Sequence, residues 1–272
     1  MVEYGTVYEK KDLLYAMIRR FDSLLVAFSG GADSTLLLAA AREVLQDRVV
    51  AITAVSAIHP MEERNHAVET AFRLGARHIL HETSELTIPE FAANPKNRCY
   101  ICKQYLFAAF RQVARNMGLA AVAHGVTMDD LNDYRPGLMA AAELGIAAPL
   151  VEAGLTKAEV RRLSREMSLP TWNRPAMACL ATRVPYGTPI TEETLRSIGL
   201  AERILLDQGF SMCRVRHHGE IARIEVPAEE IGRLLDGENR LRIVAELKKL
   251  GFAYVVCDLT GYVSGSMNHF AR

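Results

Sequence analysis

The sequence predicts an α/β protein: a parallel β-sheet with helices on both faces, followed by a small C-terminal α+β domain. Apolar strands alternate with helical segments through the first two-thirds of the chain, and the last third changes to a helix, a hairpin and further helices. Strands that alternate with helices form parallel sheets through right-handed crossovers. The stretch Leu169–Pro189 is too rich in proline for regular structure. We therefore predict domains at 1–175 and 176–272.

Hydrophobic spacing justifies each element of the predicted N-terminal domain. The predicted strands are Ser23–Phe28, Arg48–Val55, Arg77–Leu80 and Leu119–His124. The predicted helices are Glu9–Arg20, Ser34–Leu45, Pro60–Leu74, Cys102–Met117 and a last helix that ends near Met167. That last helix opens with Thr156 and Glu159, spaced as a capping box.

The C-terminal domain is predicted to contain a helix at Thr191–Gln208, strands at Phe210–His217 and Glu220–Val226, helical structure from Pro227 to before Gly251, and a strand at Phe252–Leu259. A turn centred on His218 and Gly219 places Arg214 opposite Arg223, on the same face as Arg216. Three guanidinium groups on one face repel each other unless anions neutralise them, and Glu225 can offset only one. We expect an anion site here; the alternative is a solvated strand face.

Composition narrows the classes of function. Of 272 residues, 50% are hydrophobic and 24% are charged, and 32 Lys and Arg balance 32 Asp and Glu. Zero net charge argues against a protein that coats nucleic acid or an anionic membrane. No apolar run reaches the roughly 18 residues that cross a bilayer. The N-terminus lacks a signal-peptide pattern, so we expect a cytoplasmic protein with reduced cysteines.

The strongest local signal is the sequence SGGADS between a predicted strand and a predicted helix. Glycines let backbone N–H groups approach an anion, and the helix N-terminus adds its dipole. The residues predicted to hold phosphate are Ser29, Gly30, Gly31, Asp33 and Ser34, with Asp33 also a candidate for magnesium or a substrate amine. The pattern is neither GxxxxGK[ST] nor GxGxxG. The alternative is a glycine-rich turn with a helix cap.

The SGGxDS pattern in this position resembles the PP-loop pyrophosphatase superfamily. The resemblance implies the adenine nucleotide alpha hydrolase-like fold, and cleavage of ATP between the α and β phosphates to adenylate a substrate. It also implies that Thr53 to Ser56, His124 and Gly125 flank the adenosine. This agrees with ligand binding beyond the carboxyl ends of parallel strands. ATP and Mg²⁺ are therefore the expected cofactors.

Three of the five cysteines are candidates for chemistry. Cys99 and Cys102 form a CxxC pair, and Cys179 lies in the irregular junction. By itself a CxxC pair is consistent with half of a zinc site, a redox pair or coincidence. Cys213 and Cys257 lie in apolar strand patterns, where we expect core residues.

Together with Cys179, the pair offers three thiolates to a metal. A zinc site needs a fourth ligand, for which His81 and His124 are candidates. The sharper option is a [4Fe–4S] cluster with three thiolate ligands and one open iron.

Five longer motifs make the resemblance more specific. They are TMDDLNDYRPG from Thr127 to Gly137, APLVEAGLTK from Ala148 to Lys157, RPAMACLATRVPYG from Arg174 to Gly187, RVRHHG from Arg214 to Gly219, and GYVSGSMN from Gly261 to Asn268. Together they resemble the LarE family of ATP-dependent sulfur transferases, which help to build the nickel-pincer nucleotide cofactor of lactate racemase. The resemblance covers nearly the whole chain.

The resemblance implies a reaction in which ATP adenylates a carboxylate of pyridinium-3,5-biscarboxylic acid mononucleotide. A sulfur nucleophile then displaces AMP and leaves a thiocarboxylate, and the cycle repeats on the second carboxylate. In one branch of the family the cysteine matching Cys179 gives up its sulfur and becomes dehydroalanine. In another branch three cysteines hold a [4Fe–4S] cluster that relays sulfide. Because Cys99 and Cys102 accompany Cys179, this sequence resembles the cluster branch.

Candidate substrate residues are Arg183, Arg214, Arg216 and Thr182. Arginine suits the substrate's phosphate and carboxylates because it binds them with two parallel hydrogen bonds. Thr182 keeps the hydroxyl of the serine that is often found there in the family, whereas Val263 stands where arginine is common.

Other acidic and basic residues are open to two interpretations each. Arg135 is assigned to the ATP phosphates, with an ion pair to Asp133 as the alternative. Asp129 and Asp130 either bind magnesium or ATP, or cap the next helix. Glu202 has no decisive sequence context.

The resemblance implies a homo-oligomer that acts on a small mononucleotide, with sulfide or a sulfur-donor protein as a further partner. Neither nucleic acid nor a membrane is expected as a partner. A PP-loop tRNA thiolation enzyme remains an alternative, although it should show a basic surface or an RNA-binding domain. A second alternative is an amidating ligase similar to NAD synthetase, which needs no cysteine trio. The third is a non-catalytic ATP or iron–sulfur sensor.

Overall fold

The structure is a computed structural model and describes residues 5–131, 136–175 and 178–263. Its strands are β1 Leu24–Ala27, β2 Val49–Val55, β3 Arg77–Glu82, β4 Ala121–His124, β5 Arg214–His218, β6 Ile221–Glu225 and β7 Tyr254–Cys257. Its helices are α1 Val7–Ile18, α2 Ala32–Leu45, α3 Met61–Arg73, α4 Pro89–Ala92, α5 Arg98–Asn116, α6 Met128–Leu131, α7 Pro136–Glu143, α8 Pro149–Glu152, α9 Lys157–Glu166, α10 Glu192–Asp207, α11 Ile231–Leu235 and α12 Gly237–Lys249. Short 3₁₀ turns occur at Gln46–Arg48, Glu85–Thr87, Leu180–Arg183 and Ala228–Glu230.

The chain divides into two compact units. The N-terminal unit contains the described residues of Met1–Thr83 and Asn97–Met177, and the C-terminal unit contains those of Ser84–Lys96 and Ala178–Arg272. No local sequence pattern indicates that Ser84–Lys96 packs with the C-terminal unit. Among the described residues, no helix combines the length and the apolar character needed to cross a membrane.

The N-terminal unit is built on a parallel sheet with strand order β3-β2-β1-β4. One face of β1 packs Leu24 and Val26 into a core with α1, α2 and α9, and the other packs Leu25 against Phe107 and Phe110 of α5. Helices therefore cover both faces, which confirms the predicted fold class. Because β1 lies between β2 and β4, the carboxyl ends of β1 and β4 form a topological switch point, where α/β proteins bind ligands.

Two local predictions in this unit have clear outcomes. The capping box is confirmed, since Thr156 Oγ1 accepts from Glu159 N and the Glu159 carboxylate accepts from Thr156 N. The predicted start of α5 is wrong by four residues, because the helix begins at Arg98 and not at Cys102. Both cysteines of the CxxC pair therefore lie within the first five residues of the helix.

The C-terminal unit contains a sheet with strand order β5-β6-β7, in which β5 and β6 are antiparallel. One sheet face buries Val215 and Ile224 in a core with helices α10 and α12. The predicted hairpin register is wrong: Arg214 pairs with Glu225, and Arg216 pairs with Arg223. The turn is centred one residue later than expected, between Gly219 and Glu220, and this moves each pairing by two residues.

Candidate functional site

The predicted phosphate loop lies at the switch point, between the end of β1 and the start of α2. Gly30 has φ +71°, and a Cβ there would lie 3.0 Å from Ala67 Cα, so a side chain at this position would be strained and tightly packed. Gly31 is the N-cap of α2, and no side chain among the described residues caps this helix end. The first backbone N–H groups of α2 are therefore suited to an anion.

Two serines hold the loop in shape. Ser29 N donates to Ser34 Oγ over 3.3 Å, and Ser34 Oγ donates to Gly31 O over 3.2 Å. Ser29 Oγ accepts from Gly31 N over 3.4 Å. These bonds keep the loop in a turn before any ligand arrives. Asp33 is half-buried in the first turn of α2.

Gly125 brings the end of β4 directly against the phosphate loop. A Cβ on Gly125 would lie 2.7 Å from Ser34 N and 2.9 Å from the Asp33 carbonyl carbon. Glycine is therefore needed here for close backbone approach rather than for an unusual φ. The phosphate loop, which follows β1, and Gly125, which follows the neighbouring strand β4, are therefore in contact.

Thr53 lies on the other side of the loop. Its hydroxyl donates to Phe28 O over 2.6 Å and lies 2.8 Å from His78 Nε2. Since the hydroxyl proton is used on the carbonyl, His78 donates from Nε2. Burial lowers the pKa of His78, which agrees with a neutral ring. The structure thus gathers Ser29, Gly30, Gly31, Asp33, Ser34, Thr53 and Gly125 at one sheet edge. Arg135 lies outside the described residues.

Asp129 and Asp130 anchor neighbouring structure. Asp129 Oδ2 accepts from Lys157 N over 2.7 Å, so it caps α9. Asp130 Oδ2 accepts from the backbone and the hydroxyl of Thr127, each over 3.0 Å, and Lys157 Nζ is 2.7 Å from Asp130 Oδ1. Both carboxylates therefore have structural roles.

His124 is half-buried at the end of β4. Burial, reinforced by the charge of Lys103, lowers the pKa of His124 to about 4. Its ring contacts Phe107 edge-on, with 5.4 Å between the ring centroids. The imidazole is therefore neutral near pH 7.

Cys99 and Cys102 lie three residues apart at the start of α5, so they share a helix face. Cys99 is exposed and Cys102 is half-buried. Over the described ranges, no group of three or more His, Cys, Asp or Glu side chains is placed to hold a metal ion. The zinc site and the [4Fe–4S] cluster stay predictions from the sequence.

Cys179 is half-buried in the C-terminal unit and caps the 3₁₀ turn Leu180–Arg183. Its carbonyl accepts three hydrogen bonds: from Thr182 N over 3.1 Å, from Thr182 Oγ1 over 2.8 Å, and from Arg183 Nη1 over 3.1 Å. The hydroxyl of Thr182 thus has its own partner in the turn. These contacts fix the backbone that carries the thiol.

Arg183 is fully buried, at 0% exposure. Its Nε and Nη2 donate to Glu202 Oε1 and Oε2 over 2.8 and 2.9 Å, and its Nη1 donates to Ala178 O over 2.7 Å. Burial alone would lower the pKa of Arg183, but the Glu202 carboxylate outweighs it and the pKa is raised. The guanidinium therefore has structural partners, and its contact with a substrate stays a prediction.

Glu202 links this turn to the sheet, because its Oε1 also accepts from Val215 N over 3.0 Å. Sequence reasoning left Glu202 without a role. Its partners come from positions well before and after it in the chain, so no local pattern could identify them. The signal for Glu202 in the sequence was the helical spacing of α10, which indicates that one face of this helix is buried.

The arginine face of the sheet is neutralised differently from the prediction. Arg216 Nε and Nη2 donate to the two oxygens of Glu225 over 3.0 and 2.7 Å. Arg223 donates to Glu225 over 3.1 Å and to Asp258 over 3.0 Å. The expectation that Glu225 can offset only one arginine is wrong, because its carboxylate accepts from both Arg216 and Arg223. Asp258, which directly follows β7, adds a second carboxylate.

Arg214 and Arg216 share one face, as predicted, but both are buried, at 3% and 5% exposure. A solvated strand face is therefore wrong. Arg216 Nη1 also donates to Thr182 O over 3.1 Å, which ties this face to the Cys179 turn. Arg214 lies over the Tyr262 ring, and burial together with nearby Arg183 lowers the pKa of Arg214.

Comparison with known proteins places the chain first in a broad class. No model of a known protein family matches it. It is 30% identical over 159 residues to argininosuccinate synthase of Haloarcula marismortui, covering 54% of this chain and 38% of that protein. This similarity and the loop at the switch point define a PP-loop α/β protein.

Two further relatives cover almost the full length. The chain is 42% identical over 259 residues to an uncharacterized protein of Synechocystis sp., covering 95% of this chain and 97% of that one. It is 39% identical over 265 residues to the pyridinium-3,5-bisthiocarboxylic acid mononucleotide synthase of Lactiplantibacillus plantarum, covering 97% and 95%. The chain belongs to the family of that synthase, the LarE family.

Proposed function

We propose that this protein is an ATP-dependent sulfur transferase that converts the carboxylates of pyridinium-3,5-biscarboxylic acid mononucleotide into thiocarboxylates. The observation that carries the proposal is the phosphate loop at the switch point of a chain 39% identical to a synthase of the bisthiocarboxylic product. Cytoplasmic location and homo-oligomeric assembly stay predictions from the sequence.

The first half of the reaction forms an acyl adenylate. A substrate carboxylate oxygen attacks the α-phosphorus of ATP, the bond to the β-phosphate oxygen breaks, and pyrophosphate leaves. No base is required, because the carboxylate is already ionised. The backbone N–H groups at the start of α2 would bind the pyrophosphate end. Asp33 would hold Mg²⁺, which neutralises the phosphate charge when bound.

In the second half, sulfur replaces AMP. In the route that uses no cluster, the Cys179 thiolate attacks the activated carbonyl carbon, AMP departs, and a thioester forms. Loss of the Cys179 α-proton then breaks the Cβ–S bond, which releases the thiocarboxylate and leaves dehydroalanine. The thiol's fixed backbone and the anion-binding chemistry of Arg214 and Arg216 support this role for the C-terminal unit.

Pyrophosphate release tests the proposal. We expect release that depends on the mononucleotide and that falls at least about 100-fold in Asp33→Ala, as for loss of a principal electrostatic group. Asp12→Ala, an exposed position on α1, is the matched control and should behave as wild type. Release that depends on tRNA or ammonia instead would favour an alternative enzyme, and no release would favour a sensor.

The [4Fe–4S] cluster stays a prediction from the three cysteines and the family resemblance, and no step above uses it. Iron and acid-labile sulfide in protein purified without oxygen test it directly. About four irons per chain, lost in Cys99→Ser and kept in Cys213→Ser, would support a cluster. Absence of iron would leave Cys179 as the sulfur donor, spent once per chain.

A further inference from the structure

Arg174 is held beside the phosphate loop by contacts within the N-terminal unit. Its Nη2 donates to Glu63 Oε1 in the first turn of α3, and each side chain is 19% exposed. Its backbone carbonyl accepts from Arg161 Nη2 over 3.0 Å, while Arg161 Nη1 donates to Trp172 O over 3.3 Å. Both the main chain and the guanidinium of Arg174 are therefore positioned.

The pair lies close to the loop through α3. Glu63 and Ala67 are four residues apart on this helix, so they lie on the same face about 5–6 Å apart. Ala67 is the residue whose Cα approaches Gly30, 3.0 Å from where a Cβ would stand. The Glu63–Arg174 pair is thus one helical turn from the phosphate loop.

One end of this guanidinium is unsatisfied. Arg174 Nη1 is buried and has no hydrogen-bond partner among the described residues. A buried charged donor without an acceptor is costly, so an acceptor is expected when the protein works. The loop Ser29–Ser34 carries no lysine or arginine of its own, although its ligand is strongly anionic.

We propose that Arg174 binds the β- and γ-phosphates of ATP, and then the departing pyrophosphate, through Nη1. This inference rests on the proposed function, because it assigns a further residue to the same nucleotide site. Glu63 is a positioning residue that holds the guanidinium through Nη2. Arginine suits this task because its planar fork serves a carboxylate and a phosphate at once.

Calorimetric titration of the full chain with Mg·ATP, inorganic pyrophosphate and AMP tests the assignment. In Arg174→Gln we expect ATP and pyrophosphate to bind about 10- to 100-fold more weakly, as for loss of a charge-assisted hydrogen bond. AMP should bind within about twofold of wild type, because it lacks the two phosphates in question. Arg165→Gln is the matched control, since that guanidinium lies over the Trp172 ring in the same unit.

Arg174→Lys is a second variant in case Arg174→Gln folds poorly. Lysine keeps the positive charge but lacks the planar guanidinium that donates two parallel hydrogen bonds. This variant should bind pyrophosphate more weakly than wild type and more tightly than Arg174→Gln. Equal pyrophosphate binding in wild type and both variants would overturn the assignment, and so would an equal loss of AMP and pyrophosphate. If wild type binds pyrophosphate through Arg174 but releases none with the mononucleotide, the proposed function fails and this inference stands.

Discussion

At the scale of single residues, the buried pair of Arg183 and Glu202 predicts a large effect on stability. Glu202→Ala leaves a fully buried guanidinium without its carboxylate, so we expect a loss of about 3–5 kcal/mol in the free energy of unfolding. Denaturant unfolding measures this loss. Asp207→Ala on the same helix is the control, because its pair with Arg203 is exposed and is worth under about 1 kcal/mol.

The same pair should also affect the reactivity of Cys179. Because Arg183 holds the Cys179 carbonyl, Glu202→Gln should change the alkylation rate of Cys179 without changing that of Cys99, which is in the other unit. Peptide mass spectrometry of partly alkylated protein reports both rates from one sample. Unchanged alkylation of Cys179 in a variant that unfolds more easily would mean that the pair only stabilises the fold.

His124 predicts how stability depends on pH. Its folded-state pKa of about 4 lies below the ordinary histidine pKa of 6.5, so protonation favours the unfolded chain. The stabilisation that the neutral His124 ring gives the folded state is fully present above pH 6.5 and is lost as the pH falls toward 4. Denaturant unfolding at pH 7 and pH 4.5 measures this effect. Between these two pH values, the free energy of unfolding should fall by about 2 kcal/mol less in His124→Gln than in wild type. Equal losses would contradict the assignment.

At the scale of elements, the contact of β4 with α2 predicts the result of adding one methyl group. Gly125→Ala would place a Cβ 2.7 Å from Ser34 N, so the first turn of α2 must move. We expect ATP affinity to fall at least about 10-fold, because the N–H groups that bind the anion shift. Gly199→Ala in α10 is the control, because its Cβ would lie at an ordinary contact distance of 3.5 Å from Leu180 Cδ1. This substitution should stabilise the helix slightly and leave ATP binding unchanged.

A second element-scale prediction concerns the segment Ser84–Lys96. Buried Asn94 has φ +58°, and its Nδ2 donates to the carbonyls of Pro185 and Thr188 over 2.8 and 2.9 Å. Asn94→Gly keeps the backbone conformation and removes these bonds, so we expect a loss of about 2–3 kcal/mol of unfolding free energy. Ser168→Gly, also at positive φ but exposed, should cost nothing. Equal changes in unfolding free energy in the two variants would show that backbone strain, and not the Asn94 amide, determines the effect.

How far the sequence predicted these elements depends on how local each signal is. The phosphate loop and the Thr156 capping box are encoded within a few residues, and the parallel sheet follows from apolar runs spaced along the chain. The hairpin register failed because a turn displaced by one residue is invisible to strand patterns. The partners of Arg183 and Arg174 are 19 and 111 residues away, and such pairs follow only from the folded chain.

At the scale of the whole molecule, the two units divide the proposed reaction. The N-terminal unit carries the phosphate loop and the C-terminal unit carries Cys179. In the proposed reaction, adenylation and sulfur transfer would therefore use residues of different units. A defect confined to sulfur transfer should therefore leave adenylation measurable.

Cys179→Ser tests this division. The variant should release pyrophosphate in a mononucleotide-dependent manner at close to the wild-type rate in the first turnover, because adenylation does not use the thiol. It should form no thiocarboxylate, and chromatography with mass detection should find the adenylate or its hydrolysis product. Cys257→Ser, in the same unit but outside the proposed chemistry, should form product as wild type does. Loss of pyrophosphate release in Cys179→Ser alone would mean that the thiol is required before adenylation, and the division between the units would be wrong.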